Sequence, residues 1–127
     1  MSSEQLSELQ LAFMQALWEV GEGTVSDVQA ALERQGRRLA PTTVATVLRR
    51  LAEQGWVLHR QEARRFLYKA AVTKRHTSRR ILTRLTNSLF GGDLPAVVSQ
   101  LLDARSVDRA ELDELKRLIA EKERKLK

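Results

Sequence analysis

Threonine and arginine side chains recur along one side of a predicted helix in the middle of the chain. Thr42, Thr46 and Arg49 lie opposite its apolar stripe. Thr43 and Arg50 flank the same stripe. A guanidinium group is a forked donor that matches phosphate oxygens or the O6 and N7 atoms of guanine, and a threonine hydroxyl reaches phosphates while its methyl group contacts thymine. These residue types therefore indicate recognition of a nucleic acid.

Positive charge is concentrated in the same part of the chain. Between Arg34 and Arg84 there are 14 Lys and Arg residues but only two acidic ones, so this window carries +12 of charge. The remaining residues carry −6, within a formal net charge of +6. Such asymmetry indicates a polyanionic partner, although charge alone leaves a solvated basic surface equally open. The pair Arg79 and Arg80 is open to both interpretations.

Other kinds of chemistry have few residues to support them. The chain has no cysteine, which excludes disulfides, thiolate metal sites and cysteine nucleophiles. Its two histidines, His59 and His76, are far apart in sequence, so neither a zinc site nor a histidine-based triad is expected. We find no combination of nucleophile, base and orienting group. The sequence therefore predicts a protein that is not an enzyme and that uses no metal or cofactor.

Composition predicts a folded, mainly helical protein. The chain has 127 residues, of which 43% are hydrophobic and 30% are charged. No apolar run approaches the ~18 residues that a membrane span needs. Residues 1–5 contain no basic segment followed by an apolar one, so no secretory signal is expected. We therefore expect a cytoplasmic location without membrane insertion.

Hydrophobic periodicity predicts three helices followed by two strands in the first part of the chain. Ser26, with Gln29 three residues later, has the pattern of a capping box for the second helix. Trp56 and Phe66, at the starts of the two strands, are interpreted as core residues rather than stacking platforms. The predicted ranges are 6–20, 26–34 and 41–54 for the helices and 56–60 and 66–70 for the strands, with a turn at 61–65.

This order of elements is that of a winged helix-turn-helix, a mainly α fold with a small β-hairpin. Its third helix enters the major groove of DNA, and the hairpin flanks it as a wing. Arg64 and Arg65 fall at the predicted wing tip, where they suit phosphate or minor-groove contacts. The alternative is a winged-helix module that binds another protein and not DNA. The predicted partner is double-stranded DNA.

Residues 73–127 are predicted to form three helices that cannot bury their apolar stripes alone. Pairing with a second copy would cover the stripes and would present two recognition helices to a palindromic operator. The alternative is that these helices fold back on the N-terminal domain. We expect domains at 1–72 and 73–127 and a homodimer. The predicted dimerisation residues are Ile81, Leu85, Leu89, Leu112, Leu115 and Ile119.

Several segments resemble the penicillinase-repressor (BlaI/MecI/CopY-like) family of bacterial transcription factors. They are APTTVATVLRRL at 40–51, FLYKA at 66–70, LSELQLAFMQALWEVGEGTVSDV at 6–28 and LFGGDLPAVVSQLLDARSVDRAELDELKRLI at 89–119. The resemblance implies a homodimeric repressor with winged-helix domains, a helical dimerisation domain and inverted-repeat operators. In the family, repression ends through a membrane-bound sensor protease or, in the copper branch, through metal binding to C-terminal cysteines.

The chain departs from this family pattern at three points. It lacks the cysteines of the copper branch, which excludes metal control of that kind. Gln100 and Leu101 replace the Asn-Phe bond at which β-lactam-responsive members are cut. Ala45 stands where some relatives have arginine in the recognition helix. The resemblance therefore does not indicate the inducing signal, any upstream sensor or protease, or the operator sequence.

Overall fold

The computed structural model describes residues 6–126, in which it forms six helices and a three-stranded antiparallel sheet. Residues 1–5, where no secretory signal was expected, lie outside the described residues. No described helix is long and apolar enough to cross a membrane. The elements are α1 (Glu8–Val20), β1 (Glu22–Gly23), α2 (Val25–Arg34), α3 (Pro41–Glu53), β2 (Val57–Glu62), β3 (Arg65–Ala70), α4 (Lys74–Phe90), α5 (Leu94–Ala104) and α6 (Arg109–Lys125).

The N-cap of α2 lies two residues earlier than the sequence indicated. Thr24 is this N-cap: the Thr24 hydroxyl accepts from the Asp27 amide at 3.2 Å, and the Asp27 carboxylate accepts from the Thr24 amide at 3.0 Å. The prediction of Ser26 with Gln29 was therefore wrong, because an aspartate closes the box as well as a Glu or Gln does. The Gln29 side chain instead donates to the Leu39 carbonyl at 2.8 Å, which ties α2 to the segment before α3.

The core of the first unit lies between α1, α2 and α3. Its eight fully buried large side chains come from these three helices and are Phe13, Met14, Leu17, Val28, Leu32, Val44, Leu48 and Leu51. The three from α3 form the apolar stripe of that helix, while Val47 at the same spacing is only half-buried. Trp56 is buried as expected. Because this side of α3 packs in the core, the opposite side of the helix is exposed to solvent.

The sheet contains one strand that the sequence did not predict. Only two strands were expected, at 56–60 and 66–70, yet β1 pairs with β3 through Glu22 opposite Lys69 and Gly23 opposite Tyr68. The strand order is β1-β3-β2. A Cβ on Gly23 would lie 2.6 Å from the Val20 Cγ1, so only glycine fits where the strand crosses the end of α1. This short strand attaches the hairpin to the helical core.

The β2–β3 hairpin, which we call the wing, has a tighter turn than expected. The sequence predicted a five-residue turn at 61–65, but Glu62 pairs directly with Arg65, which leaves Ala63 and Arg64 as the two turn residues. Ala63 has φ of 58°, a left-handed conformation normally supplied by Asn or Gly in such turns. The absence of that signal explains why the turn length was misjudged.

Replacing Ala63 with glycine is expected to stabilise the protein. The left-handed conformation costs a residue with a Cβ about 1–2 kcal/mol, and glycine avoids this cost. Part of the benefit is lost because glycine has greater conformational freedom in the unfolded chain, so the free energy of unfolding should rise by about 0.5–1 kcal/mol. Thermal denaturation measures the change. Ala30→Gly, at an exposed position inside α2, is the control and should lower the stability by about 1 kcal/mol. Destabilisation by both changes would contradict the left-handed turn.

The chain divides into two compact units between Arg80 and Ile81, within α4. The first seven residues of α4 belong to the first unit, and Thr77 among them is buried. The boundary predicted from sequence, after residue 72, marks the start of α4 instead. The proposed limits of an independently folding domain, 1–72 and 73–127, stay a prediction.

The second unit consists of the rest of α4 with α5 and α6. Asp93 caps α5 by accepting from the Ala96 amide at 3.1 Å, and Asp108 caps α6 by accepting from the Glu111 amide at 2.8 Å. None of the described residues after Arg80 is buried in the single chain. The unit therefore has well-formed helices but no closed apolar core of its own.

Candidate nucleic-acid interface

The exposed side of α3 carries every polar residue that the sequence singled out in this helix. Val44, Leu48 and Leu51 face the core, and the remaining side of the helix points to solvent. Five exposed residues lie on that side: Thr42, Thr43, Thr46, Arg49 and Arg50. An N–H in the first turn of a helix has no partner within the helix. Pro41 has no N–H, so α3 begins at this residue without losing a hydrogen bond. The helix thus presents hydroxyl and guanidinium groups over three turns.

Thr46 has only part of its hydrogen-bonding capacity free. Its hydroxyl donates to the Thr42 carbonyl oxygen at 2.9 Å, within the helix. The oxygen then keeps its lone pairs and acts as an acceptor towards any ligand. On a base edge in the major groove, such an acceptor matches the amino groups of adenine N6 or cytosine N4.

The wing carries three arginines with different surroundings. Arg60 in β2 donates two hydrogen bonds to the carboxylate of Glu22 in β1, both with N–O distances of 3.0 Å. Its guanidinium also lies 3.6 Å from the Glu62 carboxylate. Arg64 occupies the turn and Arg65 begins β3, and both are exposed. Within residues 6–126 neither of these two forms an ion pair with an acidic side chain. The wing therefore has one arginine held by carboxylates and two at its tip that are available to an external anion.

The Glu22–Arg60 pair stabilises the attachment of the wing. The hydrogen bond from Arg60, strengthened by its positive charge, lowers the pKa of the Glu22 carboxyl below its ordinary value, and the same bond raises the pKa of Arg60. The two residues are 38 positions apart, and Glu22 reaches Arg60 across the intervening β3. The sequence analysis missed this pair because nothing in the spacing shows that β1 exists.

An open groove of about 850 Å³ runs between α3 and the wing, and residues 24–27 at the start of α2 complete its lining. Ala45 and Arg49 line it from α3, and His59, Arg65 and Phe66 line it from the wing. Phe66 was predicted as a core residue, and this was wrong: its side chain is 47% exposed. It pairs with Gln61 near the hairpin tip, beyond the reach of the helical core, whereas the core covers positions nearer the hairpin base. Phe66 therefore belongs to a surface.

The histidines show no arrangement that would hold a metal. The His59 ring contacts Phe66 edge-to-face, with ring centroids 5.5 Å apart at 79°. His76 lies in the first turn of α4, where its amide donates to the Thr73 hydroxyl at 3.0 Å. In the part of the chain that the structure describes, no three His, Asp or Glu side chains are grouped as metal ligands.

The six residues predicted to mediate dimerisation lie on two helices of the chain. Leu89 and Ile119 are the most exposed of them, at 70% and 61%. Ile81, Leu85 and Leu115 are also exposed, while Leu112 is half-buried. The C-terminal helices thus keep large apolar side chains in solvent when the chain is alone, which is unfavourable for a stable monomer.

A family model described as Penicillinase repressor matches residues 6–121 of this chain. The chain belongs to the penicillinase repressor family. The resemblance seen in the sequence is therefore confirmed, and the protein is a DNA-binding transcriptional repressor by family. Its family and fold are those of transcriptional regulators, which are typically not enzymes.

A solved structure supports the fold of the repressor independently. The crystal structure of NadR in complex with 4-hydroxyphenylacetate matches with a TM-score of 0.50 and 17% sequence identity, and the match covers 94% of this chain and 76% of that one. At this identity the likeness concerns the fold, which is that of a winged-helix regulator, as predicted. No curated protein matches the chain.

Proposed function

We propose that the repressor acts as a homodimer that binds an inverted-repeat operator, with α3 in the major groove and the wing tip at the adjacent minor groove. One observation carries the proposal: α3 exposes three threonines and two arginines beside a hairpin that ends in two arginines, and neither of these two has an acidic partner among residues 6–126. This is the position of the recognition helix and wing in a winged helix-turn-helix, and the chemistry suits base edges and phosphates.

The two elements have different roles in this proposal. Thr46 and Arg49, at the middle of α3, read base edges, with Thr46 acting as an acceptor and Arg49 as a forked donor. Thr42, Thr43 and Arg50 hold the helix in register against phosphates. Arg64 and Arg65 bind the backbone or the minor groove and contribute affinity rather than sequence choice. Each residue is exposed, and those of α3 are positioned by a helix whose opposite side is buried.

A homodimer would meet the needs of both units. The predicted interface residues Ile81, Leu85, Leu89, Leu112, Leu115 and Ile119 would leave solvent against their copies in a two-fold arrangement. The two α3 helices could then read half-sites one or more helical turns apart, about 34–36 Å for a single turn. Two identical half-sites give an inverted repeat.

The cleavage route of some relatives has no matching bond here. Gln100 and Leu101 lie inside α5, and Leu101 is 59% exposed. We propose that any inducing signal for this repressor differs from cleavage at an Asn-Phe bond. Its operation from the cytoplasm follows from its DNA partner and is part of the proposal.

Salt dependence of duplex binding tests the proposal. If Arg50, Arg64 and Arg65 each neutralise one phosphate, a dimer neutralises six, and the logarithm of affinity should fall against the logarithm of salt with a slope of about −5. Fluorescence anisotropy on an operator selected from genomic fragments measures this slope. An unrelated duplex of equal length is the control and should bind more weakly. A winged-helix module that binds only protein would show no salt-dependent affinity for any duplex.

A further inference from the structure

The groove between α3 and the wing lies where a winged-helix regulator meets one strand of its DNA. Adjacent major and minor grooves of a duplex are separated by a single sugar-phosphate strand. If α3 occupies the major groove and Arg64 and Arg65 the adjacent minor groove, that strand has to cross between α3 and the wing. This step rests on the proposed function. The groove, about 850 Å³ and open to solvent, is the space available to it.

The lining of the groove matches the two parts of such a strand. Arg65 on the wing side can meet a phosphate, and Arg49 on the α3 side is the residue proposed to read base edges. Two acidic residues, Asp27 and Glu53, also line the groove. The Asp27 carboxylate accepts a hydrogen bond from the Thr24 amide, and Glu53 lies in the last turn of α3. The arginines and acids balance in number, so charge alone does not explain what the groove would hold. The aromatic surface of the wing supplies the other element.

Three rings form that surface on one face of the wing. His59 pairs with Tyr68 across the hairpin and Gln61 with Phe66, so alternate residues bring these rings to the same face. The Phe66 ring centroid lies 5.5 Å from that of His59 and 6.4 Å from that of Tyr68. Tyr68 is buried, whereas Phe66 remains 47% exposed at the groove. Covering the exposed Phe66 ring with an apolar group is favourable, because this removes apolar surface from water.

We propose that Phe66, supported by its edge-to-face contact with His59, packs against the deoxyribose of the strand that passes between α3 and the wing. The carbon face of the sugar is the apolar part of that strand, and one of its phosphates reaches Arg65. The contact sets the depth of the wing relative to α3 and is independent of base sequence. It adds affinity without neutralising a phosphate.

The chain offers a matched control on the same hairpin. Leu58 is 52% exposed and pairs with Lys69, on the face of the wing opposite to Phe66. It does not line the groove. Loss of either side chain removes a similar exposed apolar group from the hairpin, but only the loss of Phe66 changes the groove. Because neither residue is buried, both variants are expected to fold, which circular dichroism checks.

Operator binding by Phe66→Ala and Leu58→Ala, measured by anisotropy at four salt concentrations, tests the contact. Phe66→Ala should weaken binding by about tenfold for each half-site, and so by up to about 100-fold for the dimer, at every salt concentration, the loss expected when roughly 50 Å² of apolar contact is removed at each half-site. Its salt slope should equal that of the wild type, and Phe66→Leu should recover part of the affinity. Leu58→Ala should bind as the wild type does.

The outcomes separate this inference from the proposed function. Wild-type affinity that is weak and independent of salt would overturn the proposed function itself. Salt-dependent wild-type binding together with unchanged affinity in Phe66→Ala would overturn only the sugar contact. Equal losses in Phe66→Ala and Leu58→Ala would show a general weakening of the hairpin and would also overturn it, as would a shallower salt slope in Phe66→Ala.

Discussion

A Leu115→Asp substitution is expected to convert the repressor into a monomer and to remove most of its operator affinity. Leu115 is 39% exposed in the single chain and shares one side of α6 with Leu112 and Ile119. In the proposed dimer this side is covered by apolar groups, where an unpaired carboxylate costs several kcal/mol. Each monomer then reads one half-site, and affinity should fall by a factor of about 10³, towards the non-specific level.

Sedimentation velocity and operator titration measure the two parts of this prediction. Arg124→Asp is the control, because Arg124 is an α6 residue away from the apolar side and the change makes the helix more acidic than Leu115→Asp does. The control should remain dimeric. The first unit should stay folded in both variants, since its core is formed by α1, α2 and α3. A dimeric Leu115→Asp protein at micromolar concentration would place the interface on α4 instead, which Leu89→Asp would then test.

An Arg49→Ala substitution is expected to change which operator the repressor prefers. Arg49 is exposed at the middle of α3, and a forked contact with a base contributes about 1–3 kcal/mol of discrimination at each half-site. The variant should bind the wild-type operator up to about 100-fold more weakly per half-site. It should bind operators altered at one symmetric position as tightly as it binds the wild-type operator. Thr46→Ala should alter the preference at a neighbouring position.

Selection of bound fragments from a randomised operator, carried out for each variant, measures this preference. Arg64→Ala and Arg65→Ala are the matched controls, since each removes one guanidinium from the wing. They should weaken binding to all sequences alike and make the salt slope shallower by about 0.9 for each phosphate that is no longer neutralised. Altered specificity in the wing variants, with none in Arg49→Ala, would mean that the roles of the two elements are reversed.

The organisation of the first unit could be predicted because its pattern is local. The stripe formed by Val44, Leu48 and Leu51 has helical spacing, and Pro41 and Gly55 mark its ends, so α3 and its exposed side follow from neighbouring residues. The change from helical to strand spacing likewise predicted the hairpin. Family membership was also evident from segments along nearly the whole chain, and a family match over residues 6–121 confirms it.

Features that depend on distant residues could not be predicted in the same way. Phe66 has the composition of a core residue, but its burial depends on whether the helical core extends beneath the tip of the hairpin, and it does not. The turn was judged too long because Ala63 adopts a left-handed conformation that its residue type disfavours. The apolar stripes of α4 and α6 were expected to lack cover within their own unit, and their large side chains are largely exposed in the single chain.

The sequence by itself determined the helical elements, the basic segment between Arg34 and Arg84 and the family of this repressor, because these depend on periodicity, charge and residue type along the chain. Only the tertiary structure decided that β1 joins the sheet, that Glu22 holds Arg60, and that α3 and the wing enclose a groove with Phe66 exposed in it. The physical reason is that a pairing between residues 38 positions apart depends on how the core brings two segments together, and no local pattern records that geometry.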